Sequence, residues 1–526
     1  MLNNGSNTSA GVYEAVHDNS VRGTATSPSI GAMVGPSDRG PVGVPTLITS
    51  KQGFRNKFGA PNPSLTLAHF CAEQFLSEAS RLYFTRVANN AKLGSVRVST
   101  VDHYATAVPS VSGYDNIEDY AFNESDILFI AAVNPGDWNN NVSVLMYPDT
   151  FDPNEELFIV EVFEGNNFVP VESHRVTLRE VTDGYGRQTC IEDVLKAKDS
   201  RIRVRVNYNH PQLRRNEKER LINSVVRADL SQGSNGDKTT IDDIINGWDV
   251  YEDTEEVTVT LLINGGYAIP AVQQKMLEIA ENRGDAFAIL DVPSTEQTTQ
   301  RAVAYRRNTL NANTSFGALY LPDLQVISED NIQVWVPPSG FVAACYARTD
   351  RVAAEWFAPA GLTRGKVAAD AVRHTYRQGD RNALDSNQIN FVHRMPGHGL
   401  VLWSQETLQA HASALSNIHV RRLINSMQSA IKIAALVGVY EPNDDILRMQ
   451  LRQISESILS PIKRGRGLYG YEIICDETNN TPELIASGDT ILDVYIDPMM
   501  ITKRIHLTAN VVRTGQVSFQ VSLQDR

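Results

Sequence analysis

Between positions 257 and 293 the chain reads VTVTLLI, then a helical pattern over 271–282, then AFAILDVP. Two short runs rich in β-branched and apolar residues flank one amphipathic helix, the pattern of strand, crossover helix and parallel strand. A parallel sheet needs both faces covered, so this stretch commits its surroundings to a layered α/β core. From 30 to 87, small residues and glycines (IGAMVG, GPVGVP) frame further short buried strands. A helix over 65–80 there turns Leu67, Phe70, Phe75 and Leu76 inward. The two stretches read as one α/β layer.

What separates them differs in composition. From about 99 to 236, runs such as ILFIAAV, LFIVEVF and RIRVRV alternate with NPGDWNNN and EGNN, which indicates a mostly β unit inserted into the α/β core. It closes with LSQGSNGD, whose glycine and serine content predicts a flexible junction. The last third carries the clearest helices. Val420, Leu423, Ile424, Met427, Ile431 and Ala434 or Ala435 form one apolar stripe that ends before Glu441-Pro442. Asn443 or Asp444 can cap a second helix with Leu447, Leu451, Ile454 and Ile458 on its inner face, ended by Pro461 and Gly465. Strands YEIIC and TILDVYID follow.

Both chain ends offer extended segments. Val517, Phe519, Val521 and Leu523 alternate with Gln516, Ser518, Gln520 and Ser522, a half-buried strand set off by Thr514-Gly515. Two pairings are open for it at this point: an edge of its own domain, or the sheet edge of a neighbouring chain. At the other end, Val12, Tyr13, Glu14, Ala15 and Val16 follow about ten polar residues and form a second candidate arm.

The totals narrow the chemistry. With 526 residues the chain holds several cores, on a soft prior of roughly 100 to 200 residues per domain. Its 48 basic against 61 acidic residues, a formal charge of -13, disfavour sequence-independent nucleic-acid binding. Cys71, Cys190, Cys345 and Cys475 are widely spaced and read as reduced, buried thiols. No basic-then-apolar leader and no long apolar run is present, so synthesis in a cytoplasm without membrane insertion is expected.

Catalytic constellations are poor. Gly465-Arg466-Gly467-Leu468-Tyr469-Gly470 matches G-x-G-x-x-G, but a dinucleotide fingerprint needs a strand before it and a helix after it, and here the order is reversed. His393 and His398 lack a third ligand at recognisable spacing, and Asp242-Asp243 and Glu255-Glu256 read as solvated acidic edges. No enzyme activity, cofactor or metal is expected. Charge is more informative from 420 to 466. Arg421, Arg422, Lys432, Arg448, Arg452, Lys463, Arg464 and Arg466 stand against Glu441, Asp444, Asp445 and Glu456. On an acidic chain this is either a docking face for an acidic partner or a solvated helix face.

Long ordered motifs carry a resemblance. GVYEAV, VGPSDRGPVGVPTLITS, NPGDWNNNVSV, DGYGRQTCIEDVL, VWVPPSGFVAACYARTD, INFVHRMPGHGLVLW, IHVRRLINSMQSAI, GVYEPND and CDETNNTPELI run nearly the length of the chain. In them the sequence resembles the tail sheath proteins of contractile bacteriophages. Two departures are small: Phe341 stands where many relatives have His, and GVYEPND replaces a phenylalanine-rich version.

The resemblance implies a structural subunit of the virion tail that polymerises helically around a tail tube and shortens to drive it through the host envelope. The implied partners are other copies of itself, the tube protein, and baseplate and terminator proteins at the ends, with no direct nucleic-acid contact. Sheaths of tailocins or type VI-like devices are close variants, and a cytoplasmic α/β enzyme is the alternative of another class. The implied fold is multidomain α/β and α+β. Its expected parts are an N-terminal arm (1–20), an α/β sheath core (21–98 and 237–386) holding an outward β domain (99–236), a tube-facing α+β domain (387–509), and a C-terminal strand arm (510–526). Inter-subunit contact falls to the two arms. Arg421, Arg422, Lys432, Arg448 and Arg452 are candidates for the tube face, although Arg421 and Arg422 point about 100° apart on a helix and cannot both serve it.

Overall fold

A computed structural model describes residues 29–101, 104–151, 157–165, 167–179, 182, 186–214, 222–328 and 331–503. Both candidate arms, at 12–16 and 517–523, lie outside these residues. The chain divides into two compact units, 1–411 with 415–426, and 412–414 with 427–526.

The first unit is organised by an eight-stranded sheet. Its order is Gly399–Leu402, Ile389–Met395, Gly317–Leu321, Phe287–Asp291, Leu261–Ile263, Gly31–Gly35, Leu82–Arg86 and Thr46–Ile48. The six inner strands are parallel, and the outermost strand at each edge is antiparallel. Successive residues feed opposite faces, as the strand period of two demands. Met33, Ile263, Phe287, Ile289 and Tyr320 pack with helices Lys51–Phe58, Ala68–Phe75 and Ser339–Val352. Val34, Leu262, Ala288, Leu290 and Leu319 pack with helices Ile241–Asp249 and Pro270–Arg283 on the other side. The runs GAMVG, FAILD and GALYL are buried throughout because both faces are covered.

Local chemistry starts and stops these helices. Thr240 and Asp243 form a capping box, so Asp243 satisfies a helix N-terminus and is not part of a merely solvated edge. Pro270 opens the next helix, and Gly284, at φ 71°, closes it in the left-handed conformation.

Between the sheet strands Leu82–Arg86 and Leu261–Ile263 the chain builds two four-stranded antiparallel sheets. One runs Ile202–Val206, Asp126–Ala132, Ser95–Val101, Tyr104–Pro109; the other runs Val226–Asp229, Val142–Pro148, Phe158–Glu164, Glu172–Val176. Their shared core draws on Val96, Ile130, Val144, Val160, Val204 and Ala228, and its buried residues all come from this stretch. The expected flexible exit LSQGSNGD is instead fixed. Ser231, Ser234 and Asp237 pair with Ser95, Lys92 and Asn89, and Asn140 holds both polar groups of the Gly233 backbone. A Cβ on Gly236, at φ 78°, would lie 2.0 Å from the Asn89 carbonyl oxygen, so its glycine serves close approach.

The boundary expected at 387 falls inside the first unit. Ile389–Met395 pairs in parallel with Gly317–Leu321, because INFV is an inner strand buried on both sides.

The second unit contains the end of helix Ile418–Ala435, helix Asp445–Arg464, strands Leu468–Ile474 and Asp493–Pro498, and the short helix Pro482–Ser487. Asp444 caps its long helix by accepting from the Leu447 N–H at 2.9 Å. That helix runs through Pro461 to Arg464 and buries Leu447, Leu451, Ser455, Leu459 and Ile462, with the expected Ile454 and Ile458 only half-buried. Pro461 is tolerated within its last turns.

Candidate interaction surfaces

The five basic residues nominated by the sequence do not form one face. Arg422 lies almost wholly buried against Asp350, with an N to O distance of 2.5 Å, and its guanidinium sits 4.8 Å from the Tyr346 ring centre. Burial works against its charge, and the carboxylates of Asp350 and Glu355 outweigh burial, so its pKa stands above the ordinary value. Glu355 also accepts from Ser426, and desolvation pushes its carboxyl up to about 7. Arg421 stacks 4.0 Å over Phe316 and donates to Asn425 at 2.7 Å, with burial lowering its pKa to about 10.

Arg448 is buried as well and is spent on Asn443, at 3.0 Å, and on Asp445. Arg452 is partly exposed and pairs with Asp476 at 2.8 Å while reaching the Cys475 carbonyl. Lys432 is the most exposed of the five. Arg421, Arg422 and Arg448 are therefore internal groups, because burying a guanidinium requires partners and these supply them. The Arg448 and Asp445 spacing is legible on a helix, whereas Asp350, 72 residues from Arg422, is not.

This part of the chain also exposes apolar side chains. Ile433, Leu436, Val437, Val439 and Tyr440 lead into the turn after helix Ile418–Ala435, and Ile446 and Met449 begin the next helix; each is more than half exposed. In sequence, AALVGVY continues the apolar stripe and reads as core, so this surface was not legible from periodicity.

Strands Leu468–Ile474 and Asp493–Pro498 pair only with each other among the described residues. Tyr471 faces Ile496 and Glu472 faces Tyr495 across the ladder. A two-stranded ribbon is marginal by itself, and each strand here leaves one edge of N–H and C=O groups for a further strand.

The sites where catalysis would be sought are occupied by structure. Helix Asp445–Arg464 ends before Gly465, and a strand begins at Leu468, so the glycine-rich turn does not open a helix, as a dinucleotide fingerprint requires. At the carboxyl ends of the parallel strands, where doubly wound sheets commonly bind ligands, Asp291 accepts from the Ser339 N–H at 2.8 Å, the Ser339 hydroxyl at 2.7 Å and the Gly266 N–H at 3.3 Å. Burial pushes that carboxyl up to about 7, and its partners tie the sheet to the start of helix Ser339–Val352. His393 is half-buried and His398 exposed, and no group of three or more metal-binding side chains occurs among the described residues. The four cysteines are free and buried. No described helix is long and apolar enough to cross a membrane.

Residues 237–408 match the phage tail sheath protein central domain. The tail sheath protein of Enterobacteria phage T4 is 28% identical over 309 residues, covering 54% of this chain and 47% of that protein. The tail sheath protein of Vibrio phage KVP40 is 34% identical over 183 residues, covering 34% and 27% respectively. The chain's matches thus span half or less of these relatives. Among solved structures, the sheath tail protein Lin1278 from Listeria innocua superposes with a TM-score of 0.55 at 10% identity, over 90% of this chain and 95% of that one. The helical sheath of the anti-feeding prophage in its contracted state gives 0.53 at 15% identity, over 95% and 98%. These two likenesses are of fold.

Proposed function

We propose that this chain, which carries the tail sheath central domain at 237–408, is a structural subunit of a contractile phage tail sheath. The observation that carries the reading is that match, which falls on the doubly wound core of the first unit. The subunit polymerises helically around a tail tube and shortens to drive the tube through the host envelope. Baseplate and terminator proteins meet it at the two ends, and it resides in the virion tail.

The geometry suggests how such a polymer is linked. The strand pattern of Val517, Phe519, Val521 and Leu523 supplies an arm, and the ribbon Leu468–Ile474 with Asp493–Pro498 supplies an acceptor on a neighbouring copy. The segment of Val12, Tyr13, Glu14, Ala15 and Val16 is a second donor. Main-chain pairing at an arm tolerates swinging of the domains it joins, and a head-to-tail contact that does not close builds a filament. Contraction then needs two packings of unchanged domains separated by a barrier, with no nucleotide.

Of the five basic candidates, Lys432 and Arg452 remain for a tube face, together with the exposed apolar turn at 436–440. The deciding experiment is truncation after Thr514. The shortened chain is expected to fold as a soluble monomer and to form no tubular polymer in negative-stain micrographs, while the full chain does. Ordinary tubes from the truncated chain would refute the arm assignment, and closed small oligomers from the full chain would refute the sheath.

A further inference from the structure

Three segments far apart in the chain meet on one carboxylate. Ser29, where residues 1–28 join the sheet, donates its hydroxyl to Oδ2 of Asp350 in the last turn of helix Ser339–Val352. Arg422, in the second turn of helix Ile418–Ala435, donates to the same oxygen at 2.5 Å. Among the described residues the other oxygen, Oδ1, is buried with no partner, as is Nη1 of Arg422. The guanidinium is held otherwise by the Tyr346 ring and by the charge of Glu355, and Tyr346 in turn shares a 2.5 Å hydrogen bond with Tyr320 of the sheet.

A buried ion with so few hydrogen bonds has little to spare. Removing one donor leaves part of its desolvation uncompensated and redistributes its charge over the donor that remains. Two donors on one oxygen also fix that oxygen's position for each other, so their energies do not add independently.

We propose that Asp350 is a coupling anchor: it refers the root of the N-terminal segment and helix Ile418–Ala435 to one buried point, so that displacement of either is felt by the other. The helix continues covalently past Ser426 into residues of the second unit. Only the consequence rests on the sheath reading: in a subunit linked to neighbours through both ends, strain on one link reaches the other through Asp350 without opening the eight-stranded sheet.

The test is amide hydrogen exchange on the full-length monomer for Ser29→Ala, Asp350→Asn and the double variant. Ser29→Ala removes one hydroxyl and leaves the fold intact. It is expected to speed exchange at 30–35 and also, by about fivefold to tenfold, at 418–425. In the Asp350→Asn background the same substitution should add nothing at 418–425. Wild-type exchange at 418–425 in Ser29→Ala, or additive effects in the double variant, would overturn the anchor. Because this readout needs no polymer, coupling in a chain that never forms tubes would sustain the anchor and sink the sheath. Where tubes do form, Ser29→Ala sheaths should contract at a lower urea concentration than wild type, and an unchanged threshold would overturn the proposed consequence.

Discussion

Glycine 340 and glycine 379 make a matched pair in which one substitution should act with opposite signs. Each is the second residue of its helix, in Ser339–Val352 and Gln378–Ser386. Replacing glycine by alanine restricts the unfolded chain and favours helix, worth about 0.4 to 1 kcal/mol where the native geometry accepts it. At Gly379 the site is exposed and a Cβ would meet nothing within 4 Å, so that gain should appear undiluted. At Gly340 the Cβ would lie 2.5 Å from both the Cα and the carbonyl oxygen of Cys71, on helix Ala68–Phe75.

Those are backbone atoms, so no side chain can step aside. Restoring ordinary contact means moving the helices apart by about 1 Å, a gap that forfeits roughly a quarter to a half of each dispersion well across the interface. Overpacking of this kind costs about 1 to 3 kcal/mol, and the rigid backbone on both sides puts Gly340→Ala near the upper end. After the helix gain is subtracted, Gly340→Ala should be less stable than wild type by about 2 kcal/mol, and Gly379→Ala more stable by about 0.5 kcal/mol. Urea titration of the monomer followed by tryptophan fluorescence reads both, with an unchanged slope required for the comparison. Midpoints for the two variants that coincide, or a stabilised Gly340→Ala, would refute the claim that these helices touch backbone to backbone.

Arg422→Met strands the buried Asp350 carboxylate and should cost about 3 to 5 kcal/mol at neutral pH, whereas Lys432→Met, at an exposed position, should change stability by less than about 0.5 kcal/mol; urea denaturation of the two variants checks it. The folded state holds the Asp291 proton up to about pH 7 where the unfolded chain releases it near 3.8, so this group favours folding fully at low pH and the contribution is lost as pH rises through about 7. Urea midpoints between pH 5.5 and 8 should therefore fall less steeply in Asp291→Asn than in wild type, and parallel profiles would count against that role. Deleting 90–236 and joining the flanks with a short glycine and serine linker should leave the eight-stranded sheet folded, because the inserted sheets bury their own core; loss of a cooperative transition would show that the two cores depend on each other.

The tube-facing assignment shows how local pattern and tertiary environment divide the information. Periodicity finds the two helices that the structure places at Ile418–Ala435 and Asp445–Arg464 and narrows the second cap to Asn443 or Asp444, of which Asp444 serves, since those signals involve neighbours within a turn or two. It cannot tell a surface arginine from one neutralised by a carboxylate many positions away, so the basic count at 420–466 overstated the charge available on the surface. Arg421 and Arg422 find Phe316 and Asp350 only after the sheet has brought those segments together. The same limit hid the exposed turn at Val437, Val439 and Tyr440, whose apolar run is indistinguishable in sequence from a buried one.

By itself, then, the sequence determined the layered α/β core, the inserted β character and the family likeness, because runs such as FAILD and GALYL and the ordered motifs around them are local properties of the chain. Tertiary structure decided that Ile389–Met395 belongs to that sheet, that SQGSNGD is a stapled stem, and that Arg421, Arg422 and Arg448 face inward. Each of these depends on a partner distant in sequence, and pairing across such distances is settled by which segments can bury one another's polar groups.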